Sequence, residues 1–171
     1  MEKEPNPEDP HVLQPGHHPT PFTAAEIRAA SRPGRTVRQR IEVDGAPTVL
    51  RVQQWQSVDD EGGTGLAGML EADGSWTDVR RTRSTWLALQ RHASMPLATT
   101  TIDEVTLDSP MGPLDCLRYT ALDGDVIDTF WFARDYPGMP VMIERVGGGR
   151  VLERVTMLSS QVEPLRDEPG H

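Results

Sequence analysis

Between Val105 and Val146 the chain alternates apolar and polar positions in short runs, each closed by a turn residue. Leu114–Leu122 and Val126–Arg134 are both rich in aliphatic and aromatic side chains, with Asp123-Gly124 between them. Asp-Gly favours the left-handed angles of a two-residue type I′ turn, which joins antiparallel strands without splaying them. The pattern therefore predicts a hairpin turning on Asp123-Gly124, with Leu117 opposite Phe130 and Tyr119 opposite Asp128. Leu117, Tyr119, Ala121, Val126, Phe130 and Phe132 then share one face, and Cys116, Arg118, Thr120, Ile127, Thr129 and Trp131 share the other. A one-residue slip would spread the apolar set over both faces, so the pattern opposes it.

The same reading extends along the chain. Arg35–Val43 places Val37, Gln39, Ile41 and Val43 on one face and Thr36, Arg38, Arg40 and Glu42 on the other, the signature of a half-buried strand. Asp44-Gly45 turns it and Thr48–Val58, with Trp55, returns. Gly62–Gly65 reads as a flexible link, after which Leu66–Ala72 and Trp76–Arg81 form a weaker hairpin around Asp73-Gly74. Thr99–Leu107 leads into the central hairpin. Ser109–Pro113 cannot be a central strand, because its prolines lack ladder donors. Beyond the hairpin, Asp135-Tyr136-Pro137-Gly138 reads as a turn, with Pro-Gly suited to type II geometry. Val141–Val146 and Val151–Ser159 then pair around Gly147-Gly148-Gly149.

Two short segments break from this period. Thr23-Ala24-Ala25-Glu26 is a capping box, flanked by a hydrophobic staple of Phe22 and Ile27. The helix it starts ends near Ala30 or Ser31, before Pro33-Gly34. Ser84 is placed to cap a second helix over Thr85–Ala93, where Trp86, Leu89 and Ala93 fall on one face. That face needs an apolar partner, and the face holding Leu117, Phe130 and Phe132 is the one available. His92, near the helix end, interacts favourably with the dipole when protonated.

Pro110-Met111-Gly112, then Leu114-Asp115-Cys116-Leu117-Arg118-Tyr119, then Phe130-Trp131-Phe132-Ala133 and Pro137-Gly138 form a recurrent bacterial pattern. Over residues 104–158 the chain resembles the TapB-like proteins and related uncharacterised families. Their curved antiparallel sheets are similar to the half-barrels of lipoprotein carriers. The resemblance implies a strongly curved sheet able to enclose an apolar groove, and it supplies no catalytic residue.

Composition narrows the function classes. At 171 residues with 36% hydrophobic content and a net charge of −9, the chain suits one domain with a modest core. An acidic body argues against nucleic-acid binding, which needs clustered cations to neutralise phosphates. Cys116 is the single cysteine, which excludes an intrachain disulfide and a cysteine-based zinc site, and it reads as a small buried hydrophobe. No apolar run approaches the ~20 residues of a membrane span. The first residues lack the charged-then-apolar pattern of a signal peptide, so a native start at Met1 implies a cytoplasmic protein. Residues 1–21 and 162–171 are polar and proline-rich and read as flexible tails around a domain at 22–161. His11, His17 and His18 lie in the first of these tails as solvated residues.

Chemical motifs do not withstand their structural requirements. Gly63-Thr64-Gly65-Leu66-Ala67-Gly68 matches the dinucleotide-binding pattern, but Asp73-Gly74 follows too soon for the helix that must receive the pyrophosphate. Asp123, Asp125 and Asp128 fail the calcium-loop pattern, since Asp128 stands where glycine is needed and Arg134 where glutamate is needed. Gly147-Gly148-Gly149-Arg150 lacks the Lys-Ser/Thr ending of a phosphate loop. Arg80, Arg81 and Arg83 form a small basic cluster that reads as a solvated face.

The expectation is one α+β domain: a strongly curved, half-barrel-like antiparallel sheet of seven to nine strands with two short helices. Its expected role is that of a non-catalytic binding module with no cofactor and no metal. The groove between sheet and helix is lined in this reading by Trp86, Leu117, Tyr119, Phe130 and Phe132, and takes a small apolar ligand or a protein partner. An interaction domain using a sheet edge or the Arg80–Arg83 region is the alternative, and an enzyme ranks third.

Overall fold

The computed structural model describes residues 9–167. Nine strands make one antiparallel sheet: β1 (Arg35–Val43), β2 (Val49–Val58), β3 (Gly62–Leu70), β4 (Trp76–Thr85), β5 (Thr100–Ser109), β6 (Gly112–Asp123), β7 (Val126–Ala133), β8 (Met142–Gly147) and β9 (Arg150–Val162). Two short helices, α1 (Ala24–Ala30) and α2 (Trp86–Arg91), accompany it.

The strand order is β4-β3-β2-β1-β9-β8-β7-β6-β5. Every neighbouring pair is consecutive in sequence except β1–β9, the seam between two meanders. The chain therefore leaves the sheet at one edge, β4, and re-enters at the other, β5. That crossing is made by α2 and the loop after it, and the sheet curls around them into a half-barrel. Register shifts at Arg38/Gln39, Trp55/Ser57 and Ala67/Met69 mark bulges, each of which bends and twists its strand.

The central hairpin forms with the expected faces but another register. Leu117 pairs with Phe132, Tyr119 with Phe130 and Asp123 with Val126, so Gly124-Asp125 rather than Asp123-Gly124 makes the turn. Gly124 has φ 60° while Asp125 stays out of the left-handed region, as suits a II′ turn with glycine at its first central position. Partners move by two residues, and a period of two leaves the faces unchanged. The observed register sets Tyr119 opposite the Phe130 ring and frees Asp128 to lie opposite Arg145, where Arg145 Nε donates to Asp128 Oδ1 at 2.8 Å. The expected register would have spent Tyr119 on Asp128.

Two further expectations are corrected. Gly62–Gly65 is not a flexible link but the first half of β3, paired with Thr82–Thr85 of β4. Ser84 stays in that ladder opposite Gly63, and Thr85 is the N-cap of α2, its hydroxyl accepting from the Ala88 amide at 3.1 Å. Contacts also extend past both expected domain boundaries. Tyr119 donates its hydroxyl to the Pro19 carbonyl at 2.7 Å, and the His18 ring lies 2.6 Å from the Thr100 carbonyl. At the other end, Val162 belongs to β9 and Gln54 donates to the Pro164 carbonyl at 3.0 Å. Residues 1–8 and 168–171 of the expected tails lie outside the described residues.

The capping box at Thr23 forms as read, with the Glu26 amide on Thr23 Oγ1 and the Thr23 amide on Glu26 Oε1. Phe22 and Ile27 are both buried, completing the staple, and α1 packs against α2. A buried glutamine ties these pieces together. Gln90 accepts from the Ala24 amide at 2.9 Å and donates to the Pro10 carbonyl and the Thr20 hydroxyl.

Candidate functional site

One cluster of apolar side chains fills the concave side: Phe22, Ile27, Trp86, Met95, Tyr119 and Phe132, with Trp55, Leu89, Leu117 and Phe130 against it. Trp86 is fixed at its polar end, where Nε1 donates to the Asp59 carbonyl at 2.8 Å. Its ring meets Trp55 edge-on at 5.3 Å. This pair packs close against β3 because the strand is glycine there. A Cβ on Gly63 would come within 2.7 Å of Trp55 and 2.9 Å of Trp86. Gly63, the first glycine of the sequence that imitates a nucleotide motif, thus makes room for two indole rings.

Farther round the sheet, Phe132 is the hub of an aromatic group. Tyr119 meets it edge-on at 5.2 Å and Phe22 edge-on at 6.4 Å, while Phe130 stacks beside it at 6.4 Å. Burial pushes the Tyr119 phenol up to about 12. A second cluster, containing Val37, Leu114, Cys116, Ala133, Val141 and Met157, lies where the Asp135–Pro140 loop returns the chain to β8. Burial, and then the neighbouring Asp115 carboxylate, raises the Cys116 thiol and makes it a poor nucleophile.

Between the two clusters the concave face is not filled. A cavity of about 420 Å³ runs along it, within the roughly 300–1,000 Å³ span of small-molecule sites. Its floor is Val37, Trp55, Ala67, Phe130, Phe132, Ile143 and Met157. Ile27, Ala30, Leu89, His92 and Met95 form the helical side, and the Asp135–Pro140 loop forms a rim. Apart from Leu66, the residues bordering it on β3 and β4 are small: Gly65, Ala67, Thr82 and Ser84.

Of the five residues expected to line a groove, Phe130 and Phe132 face this cavity. Trp86, Leu117 and Tyr119 stand beside it in the packed cluster, so the structure brings all five together but divides them between wall and filling. The sequence reading missed the β1, β2 and β9 contributions. Val37 carried a legible signal, the alternation of its strand. Nothing local marked Met157 or Ser160 as neighbours of Val37, because their strands meet only through the seam.

Polar side chains also border the cavity, among them Ser31, Gln53, Gln54, Thr82 and Ser160. Ser84, His92 and Asp135 all border it, yet they make no hydrogen bonds to one another. Among the described residues no group of three or more His, Cys, Asp or Glu side chains converges as a metal site, and no helix is long and apolar enough to cross a membrane. Arg83 of the basic cluster pairs with Asp59 at 2.8 Å on the outer edge, away from the cavity. Among the described residues, Arg35 is the arginine or lysine that borders the cavity.

The sequence matches no family profile and no curated protein. Among solved structures, MucB is similar in fold, with a TM-score of 0.55 at 13% identity over 83% of this chain. The chain spans only 58% of the length of that MucB chain. A domain from Vibrio parahaemolyticus assigned to outer-membrane lipoprotein sorting gives a TM-score of 0.31 at 12% identity, covering 85% of this chain and 92% of its own. A LolA superfamily protein from Nitrosomonas europaea gives 0.25 at 12% identity, covering 86% of this chain and 96% of its own. The MucB likeness establishes a shared half-barrel architecture.

Proposed function

We propose that the protein is a non-catalytic binding module that takes an apolar group into the groove between its sheet and helices. The observation that carries this reading is the cavity itself. A half-barrel that merely needed a core would fill its concave face with large side chains, since interiors are close-packed. Here aromatic and aliphatic walls enclose about 420 Å³ while small residues face it from β3 and β4. Apolar walls with a few polar groups at the margin are what a site for an apolar ligand requires. Phe130 and Phe132 are the proposed contact residues, with Trp86, Leu117 and Tyr119 supporting them. The fold shared with MucB is compatible with this reading.

Nile red, an uncharged dye that brightens in apolar surroundings, provides the test. Saturable binding at one site, weakened in Ala67→Phe with the fold intact by circular dichroism, is the expected result. Ala67 lies on the cavity floor, so the larger ring occupies the space directly. An unbound dye, or binding indifferent to this substitution, overturns the proposal.

A further inference from the structure

Arg35 is out of place on an apolar wall. It begins β1 and shares the concave face with Val37, and both border the cavity. Its Nε is buried and has no hydrogen-bond acceptor in the protein. The guanidinium also has no carboxylate partner among the described residues, whereas several arginines elsewhere are paired. Arg38 holds Glu163, Arg118 holds Asp103, Arg145 holds Asp128 and Arg154 holds Glu144. Those four pairs stand outside the cavity. Asp135, the acid that borders the same cavity, makes no ion pair with Arg35.

Arg35 is only partly buried and its guanidinium keeps its charge at every accessible pH, so an anion entering the cavity meets a permanent cation on the wall. The planar fork of a guanidinium fits a carboxylate with two parallel hydrogen bonds. The wall also carries neutral polar side chains, Gln53, Gln54, Ser84 and Ser160 among them, and much surface for a hydrocarbon. Ile27, Phe130, Ile143 and Met157 supply apolar surface away from Arg35.

From this juxtaposition we infer that the cavity binds a long-chain carboxylate, with the head group on Arg35 and the hydrocarbon along the Phe130–Ile143 floor. This rests on the groove reading above and adds to it a charge requirement that the groove alone does not have. Arg35 acts as the specificity-determining residue, separating the carboxylate from an uncharged chain of the same length.

Nile red displacement tests the two readings separately. Palmitate and hexadecanol are titrated against dye-loaded wild type, Arg35→Met and Arg35→Lys. Palmitate should displace the dye from wild type about tenfold better than hexadecanol, the scale of one charge-assisted pair. Arg35→Met should lose that preference while keeping dye and hexadecanol binding, and Arg35→Lys should retain part of it. Equal displacement by acid and alcohol in the wild type overturns the inference and leaves the groove standing. A preference that survives in Arg35→Met assigns the head group elsewhere and also overturns it. Failure of the wild type to bind the dye or either ligand overturns both. The wild-type comparison decides the question even if Arg35→Met does not fold.

Discussion

Replacing Gly63 with alanine adds one methyl group at the closest approach in the concave core. That Cβ would sit 2.7 Å from Trp55 Cζ3, 2.8 Å from Trp55 Cε3 and 2.9 Å from Trp86 Cη2. All three distances are well inside carbon–carbon contact, so a ring must move. Trp86 is held by its hydrogen bond to the Asp59 carbonyl, and Trp55 is held against it. Overpacking of a filled core costs about 1–3 kcal/mol. Alanine also restricts the unfolded chain relative to glycine, which returns about 0.4–1 kcal/mol because Gly63 does not need a left-handed backbone. The net expectation is a loss of roughly 1–2 kcal/mol. Urea denaturation followed by tryptophan fluorescence measures it, with a lower midpoint at unchanged slope. The cost should shrink in a Trp55→Leu background, since the first clash is with that ring. An alanine variant as stable as wild type, or an equal cost in both backgrounds, refutes the account of why β3 is glycine.

Other expectations follow from single contacts. Thr23→Ala removes the capping-box hydroxyl and should cost about 1 kcal/mol in the same denaturation assay. Phe132→Ala empties the hub of the aromatic group and should cost about 3–5 kcal/mol, whereas Phe130→Ala, whose ring is only partly buried, should cost visibly less. Tyr119 has its pKa raised from 10.0 to about 12, so the folded state holds the proton more tightly than the unfolded one. The stability it contributes is complete below pH 10 and falls as pH rises toward 12, and Tyr119→Phe should flatten that part of the urea midpoint profile. Cys116, only 1% exposed, should ignore a thiol reagent in the native protein and react at once in denaturant.

How much of this was legible depended on how far the relevant partner lay along the chain. The faces of β6 and β7 were readable because alternation survives an error in register. The register itself was not, since Asp123-Gly124 is a good turn in isolation. The turn that forms instead takes Gly124 as its first central residue. Gly62–Gly65 was misread for a related reason. Glycine signals flexibility until two tryptophans, one eight residues before Gly63 and one twenty-three after, are seen to need the space. Phe130 and Phe132 were found from their own strand, while Arg35 was not, because its significance lies in a missing partner rather than a motif. Gln90 is a third case: three chain segments converge on one amide, and no local pattern records it.

The seam between β1 and β9 also bears on how the chain reaches this state. Residues more than a hundred positions apart must meet before the middle of the sheet exists, whereas each meander assembles from neighbours. Such distant pairing slows folding, because the entropy of closing the intervening loop is lost before the ladder forms. During synthesis the β1–β4 meander emerges first, with β1 offering an open row of amides and carbonyls. Until β9 arrives, β1 is an unguarded edge on which another nascent copy can pair. A chain cut short before Arg150 would keep two such open edges, β1 and β8, and would be prone to self-association.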